Sequence, residues 1–383
     1  MALRTPICDL LGIEFPIVLA GMGGASTPRL AAAVSNAGGL GILGAAGCQP
    51  DELRAWIAET RRLTSKPFGV DTLLPASVRR SKPEGAKGPS PMDALPKLQS
   101  FAREFMEKEG LVLAQAPRAA QPRAEVGAEP RAETGTRRLQ PLSKEFFEAQ
   151  MEVVVEERVP VYAAGLGDPG PWIDRLHKNG TVVMAVVGAV RHARKVAESR
   201  VDIIVAQGHD AGGHNSPVGT MALIPQVVDA VGPIPVLGAG AITDGRGVAA
   251  ALMLGAAGAW IGSAFLATDE AGIQDFQKQA IVDSDEEGTV VSRSVTGKPA
   301  RLIRSKWTQA FADSGLEALP MPFQSMVSQP VLVAGMIGRR RDIVPGFAGQ
   351  GIGMIKKVQP AAAVLREIVA GAERALATAK SSY

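Results

Sequence analysis

Short runs of aliphatic and β-branched residues recur along the chain, each followed by a stretch of helical periodicity. Eight such runs are Ile17–Ala20, Leu40–Leu43, Phe68–Asp71, Val161–Ala164, Thr181–Val187, Ile203–Ala206, Val236–Leu237 and Ala259–Ile261. They are apolar at nearly every position rather than at alternate ones. A strand reads that way when both faces are buried, as in a parallel sheet. Helical patterns fill the gaps: Pro28–Ala37, Asp51–Leu63, Ser143–Arg158, Pro169–Asn179, Val190–Arg200, Met221–Val231, Asp244–Leu254 and Asp269–Val282. Pro28 and Pro169 suit a first helical turn, and Asp51 and Ser143 suit N-caps. Eight β-then-α units in order favour a closed (β/α)8 TIM barrel over an open doubly wound sheet.

One gap breaks the rhythm. Between the third strand and its helix the pattern predicts an insertion of about 76–142, with a possible helix at Met92–Gly110 that sets Phe101 and Phe105 on one face. Ala116–Pro141 then holds four Pro, five Arg and three Glu with no aromatic residue. Such a composition buries too little apolar surface to offset chain ordering. Its arginines suit a solvated loop or contact with an anionic substrate tail. The expected organisation is a barrel over 1–271, a small C-terminal cap domain or lid over 272–345, and a segment over 346–383. That last segment returns to the barrel at Gly349–Gly353 and ends in a helix at Pro360–Ala377.

Charge and cysteine content narrow the class. Forty-one Lys+Arg against 38 Asp+Glu leave a net +3 over 383 residues, too balanced for a nucleic-acid footprint. Cys8 and Cys48 are the two cysteines, so neither a disulfide framework nor a Cys-based zinc site is expected. Arg4, Asp9 and Glu14 interrupt any signal-peptide core, and the uncharged stretches Leu30–Pro50 and Gly247–Thr268 are broken by glycines. The expectation is a cytoplasmic enzyme with no membrane partner.

Several glycine-rich strand ends could carry chemistry. Gly165-Leu-Gly167-Asp-Pro-Gly170 matches G-x-G-x-x-G, yet the following strand ends in Val187-Gly188 without the acid that would hold a ribose. A turn into a helix explains it better. In Val236–Gly247 and Ala259–Thr268, buried strands run into small residues, at Gly238–Gly240 and at Gly262-Ser263. These loops follow strands seven and eight, where barrels often hold a phosphate. Close helix–strand packing is the alternative. Past the sixth strand lies Gln207-Gly208-His209-Asp210-Ala-Gly212-Gly213-His214, with two of the chain's four histidines. Gly212 and Gly213 would let the backbone pass under a flat ring while His214, an imidazole able to exchange protons near neutral pH, faces the substrate. His209, Asp210 and His214 could instead ligate a metal, but no further ligand is evident and none is expected. Gly21-Met22-Gly23, after the first strand, suits a ring edge or a tight turn.

Taken together, these blocks resemble the nitronate monooxygenase family, once called 2-nitropropane dioxygenases. The resemblance covers Phe15–Pro75 and Val159–Ala271, with Thr296–Arg301 and Ala348–Gly353 also similar. Its most specific element is the succession of Gly208–His214, Gly240–Gly247 and Ile261–Thr268. It implies an oxidoreductase with non-covalent FMN at the top of the barrel and an alkyl nitronate and O2 as substrates. Gly21, Met22 and Gly23 would border the flavin, with Thr72 or a neighbour within one position as a polar contact. Gln207 and Gly212 would touch the ring, Gly240, Ala241, Gly262 and Ser263 would hold the phosphate, and His214 would be catalytic.

Two departures matter. Ala185-Val186-Val187 is apolar where some nitronate oxidisers carry a lysine, and Ala241 stands where a glycine is usual. An apolar fifth strand also fits flavin-dependent enoyl-acyl-carrier-protein reductases of the same barrel. There NAD(P)H reduces FMN and an enoyl thioester, on ACP or CoA, accepts the hydride.

Overall fold

The computed structural model describes residues 3–74, 91–112, 139–140 and 143–382. The sequence pattern becomes eight parallel barrel strands: β1 (Ile17–Leu19), β2 (Gly41–Gly44), β3 (Phe68–Leu73), β4 (Val161–Leu166), β5 (Val182–Val187), β6 (Ile203–Gln207), then, after the short β7 (Gly213–His214), β8 (Val236–Ala239) and β9 (Gly258–Ile261). Around the barrel they run β1-β9-β8-β6-β5-β4-β3-β2. A parallel bridge between Val18 and Leu40 brings β2 back to β1. The barrel is thus nearly closed, with helices packed between successive strands.

Alternation along each strand decides which residues face the barrel axis. Val18, Leu40, Ile42, Val161, Ala163, Met184, Ile203, Val205, Leu237, Ala239 and Trp260 form one cluster inside the barrel, joined by Ile7, Cys8 and Leu11 of the helix Pro6–Leu11. The intervening residues, such as Leu19, Val70, Tyr162, Val183, Ile204 and Ile261, pack against the outer helices. Both faces are therefore buried, which is why the runs looked continuously apolar. On β3 this parity sends Phe68, Val70 and Thr72 outward and Gly69 and Asp71 inward.

The helices match their patterns with local changes. Ser143 caps the helix Lys144–Glu156, its Oγ accepting from Phe146 N at 3.1 Å. Asp51, expected as an N-cap, lies inside the helix Pro50–Leu63. Gln49 caps it because Pro50 fits the first position, which needs no N–H donor. The pattern at Pro169–Asn179 divides into a 3-10 turn, Gly170–Trp172, and the helix Ile173–Lys178. That at Asp269–Val282 becomes a loop followed by Asp275–Val282. The last helix, Ala361–Ser382, packs on Gly245–Met253 so closely that a Cβ at Gly245 would strike its backbone.

Beyond the barrel, β10 (Thr289–Ser292) and β11 (Ala300–Ile303) form an antiparallel pair, and β11 also pairs with β7. The helix Leu95–Lys108 does not stand apart in solvent. Its Leu98, Ala102, Phe105 and Met106 share a core with Trp307, Phe311, Val327, Val331 and Ile343. Phe105 meets the Trp307 ring edge-on at 5.3 Å. Residues 113–138, which hold most of the Arg/Pro-rich stretch, lie outside the described residues. Among the described residues no helix is long and apolar enough to cross a membrane.

Candidate active site

The C-terminal ends of the barrel strands open into a cavity of about 1180 Å³. Gly21, Met22, Gly23, Gln207, Gly212, Gly213, His214, Gly240, Ala241, Gly262 and Ser263 all line it, although they come from four separate strand ends. Thr72 does not. It points outward with Val70, fully buried, and its Oγ1 lies 2.9 Å from the Tyr162 hydroxyl. The inward neighbour, Asp71, reaches the cavity instead. The shift follows from side-chain parity: a one-residue step along a strand changes the face.

Asp71 is lodged between two strand ends. A Cβ at Gly21 or at Gly165 would collide with its carboxyl group, so both glycines make room for it. Burial pushes its pKa well above the ordinary carboxylate range, opposed by a hydrogen bond from the Gly165 backbone. The cause is desolvation of the anion, which favours the protonated acid. A neutral carboxyl in this wall can donate a hydrogen bond as well as accept one.

His214 is carried on β7. The small antiparallel sheet sets Ala300 opposite His214 and Arg301 opposite Gly213. Its Nε2 lies 2.9 Å from Thr296 Oγ1, and its carbonyl accepts from Gln207 Nε2 at 2.8 Å. Phe347 stands edge-on to the ring at 6.4 Å. Burial, and then the nearby Lys298 charge, lower its pKa to about 4. The imidazole is therefore neutral across the physiological range. In the tautomer that donates Nε2–H to Thr296, Nδ1 carries the lone pair that can accept a proton; in the other, Nε2 accepts from the Thr296 hydroxyl.

Arg301 fixes the loop that carries His214. It is 4 % exposed and donates through Nε and Nη2 to the His209 carbonyl, at 3.2 and 3.1 Å. His209 Nδ1 is engaged with the Ser216 carbonyl, 2.9 Å away, and Asp210 accepts from Thr220 N at 2.8 Å, at the start of the helix Thr220–Val231. These two residues hold the loop. Among the described residues no group of three His, Cys, Asp or Glu could hold a metal ion.

The opposite side is built from backbone. Gly240 has φ +119° and Ala241 φ +52°, so the chain turns left-handed where β8 ends. A Cβ at Gly240 would run into Thr220 Oγ1. Ser263 Oγ accepts from Gly349 N at 2.9 Å, and Gln350 N donates to the Asp210 carbonyl at 2.9 Å. The 348–351 segment is thereby tied to the ends of β6 and β9. At Gly23 and Gly213 an added Cβ would meet nothing within 4 Å. The cavity is open beside the backbone there, as a planar ring laid on the strand ends requires. The apolar β5 end is present as Val186 and Val187 in the wall.

Sequence reasoning missed Thr296, Lys298 and Phe347, and reached Asp71 only as an unnamed neighbour of Thr72. Asp71 carried a signal, an acid inside an apolar strand on the parity of Gly69. Thr296 and Lys298 lay in a block noted as similar but given no role. Phe347 carried none.

The chain matches the Nitronate monooxygenase family over residues 4–371. A Mycobacterium tuberculosis protein named as a dehydrogenase of a hydroxy-methyl-oxo-octahydroindene carboxyl-CoA is 35% identical over 320 residues, 83% of this chain and 71% of that one. A Staphylococcus saprophyticus protein named "Probable nitronate monooxygenase" is 32% identical over 340 residues, 86% of each chain. Among solved structures, nitroalkane oxidase from Streptomyces ansochromogenes superimposes with a TM-score of 0.77 at 28% identity, covering 97% of this chain and 99% of that one.

Proposed function

The chain belongs to the nitronate monooxygenase family of flavin-dependent oxidoreductases, and from that premise we propose that it binds FMN and oxidises alkyl nitronates with O2 to a carbonyl compound and nitrite. The observation that carries the reading is a neutral imidazole, His214, at the edge of a cavity whose other walls are glycine-rich strand ends. Gly21–Gly23 and Gly212–Gly213 would border the ring. Gly240, Ala241, Gly262 and Ser263 would hold the phosphate by N–H and hydroxyl groups, and Asp71 and Gln207 would supply polar contacts. When bound, FMN supplies a two-electron acceptor.

The chain's own residues then orient the nitro group and manage protons. Thr296 holds the His214 ring by its Nε2. Nδ1 accepts the α-proton of a neutral nitroalkane, a role a ring with a low pKa can fill without first losing a proton. For a substrate that arrives as the nitronate, the same ring positions the nitro oxygens. Phe347, Val186 and Val187 supply apolar surface to the cavity wall.

A second reading is an NAD(P)H- and FMN-dependent enoyl-thioester reductase. It draws support from the lysine-free β5 end and from the relative named for a CoA-linked substrate. Anaerobic mixing decides between them. Bleaching of the flavin by ethyl nitronate, with NADH and NADPH inert, supports the oxidase. Rapid bleaching by either nicotinamide with nitronates inert supports the reductase.

A further inference from the structure

The cavity wall carries five cations, Arg191, Lys195, Arg293, Lys298 and Arg341, against two carboxylates, Asp71 and Asp168. The carboxylates neutralise little of this. Burial favours the protonated form of Asp71, and Asp168 faces Lys195 at 4.0 Å. Arg341 is occupied by Asp283. Arg191 and Arg293 have no side-chain hydrogen bond or ion pair among the described residues, and Lys298 is close enough to His214 to disfavour its protonation.

The flavin phosphate does not account for these charges. Its proposed seat, the ends of β8 and β9, is built from Gly240, Ala241, Gly262 and Ser263. In the barrel order β5 stands two places from β8 and three from β9, with β6 between it and β8. Arg191 and Lys195 rise from the helix Val190–Glu198, directly after β5. Arg293 and Lys298 come from the connection between β10 and β11, which β7 ties to the His214 loop. These cations therefore rise beside the β5 end and the His214 loop, not from the loops after β8 and β9 that would seat the flavin phosphate. The cavity volume of about 1180 Å³ lies just above the roughly 300–1,000 Å³ of single-ligand sites, as a site for a cofactor and a second ligand requires.

We propose that this wall, centred on Arg191, Arg293 and Lys298, is a subsite for the diphosphate of a nucleotide-linked ligand whose reactive end reaches His214. Guanidinium groups suit phosphate because their forked N–H groups bond its oxygens two at a time. Coenzyme A thioesters and reduced nicotinamide dinucleotides share this chemistry. The inference deepens the reading of the barrel mouth as an active site, but binding reports on it without turnover.

The test is calorimetric titration of the purified holoenzyme with coenzyme A and, separately, with NADPH, at low and physiological salt. At least one should bind, more weakly as salt rises. Arg191→Ala and Arg293→Ala should each weaken it, and the double variant roughly tenfold or more, with FMN content unchanged. Binding of NADPH with flavin bleaching identifies the ligand as reductant; binding of coenzyme A without bleaching identifies a thioester tail. No binding of either at about 1 mM, or affinities that both arginine variants leave unchanged, overturns the proposal. Yellow protein that oxidises nitronates but ignores both ligands overturns this inference alone. Protein that ignores FMN yet binds them overturns the flavin reading alone.

Discussion

At the scale of single residues, environment does as much as identity. His214 is an ordinary side chain whose burial and Lys298 neighbour lower its pKa to about 4. If it is the base toward a neutral nitroalkane, its competent form is the unprotonated one. The pH profile of kcat/KM should then stay flat through the usual histidine range and fall only below about pH 5. Lys298→Met removes one of the two causes and should move that acid limb upward, while burial keeps it below the ordinary value. A wild-type limb near the free histidine pKa would contradict the assignment. The same shift enters stability. The unfolded chain takes up this proton at a higher pH than the folded one, so the contribution is full above the unfolded value and is lost as the pH falls toward about 4. Ala241 gives a second residue-scale prediction. Its φ of +52° costs an L-residue about 1–2 kcal/mol. Ala241→Gly relieves this but loosens the unfolded chain, so a net gain of at most about 1 kcal/mol should appear as a raised melting temperature.

At the scale of elements, the site depends on parts distant in sequence. β7 is two residues long and stays in place because β11 pairs with it and Arg301 bonds the His209 carbonyl. Arg301→Met keeps the stem but removes a charged donor from a buried carbonyl. Chemical denaturation should show a loss of about 1.5–3 kcal/mol, and turnover should fall with it through displacement of His214. The helix Leu95–Lys108 shares its core with Trp307 and Phe311. Phe105→Ala should destabilise by about 3–5 kcal/mol, although Phe105 lies more than a hundred residues before the β10–β11 pair. A loss below about 1 kcal/mol would show that this packing contributes little.

At the scale of the whole molecule, the barrel was legible because each strand is buried on both faces and each helix on one. Burial writes a local, repeating pattern. The glycine-rich strand ends were legible for a related reason, since close backbone approach requires small residues in short runs. Long-range pairing leaves no such trace. Nothing local in Phe101 or Phe105 points to Trp307, and nothing local in Thr296 points to His214. The choice between Thr72 and its neighbours stayed open because continuous apolarity hides the parity that turns Asp71, not Thr72, toward the cavity. A strand that is apolar on both sides does not announce which residues face the axis until the register is known.

The central claim is that the barrel mouth is a seat for FMN. The measurement that tests it most directly is fluorescence titration of flavin-stripped protein with FMN. Quenching that saturates at one FMN per chain, and that weakens when Gly240→Val fills the turn at the end of β8, is the predicted result. Fluorescence that stays that of free FMN at every protein concentration would contradict the account.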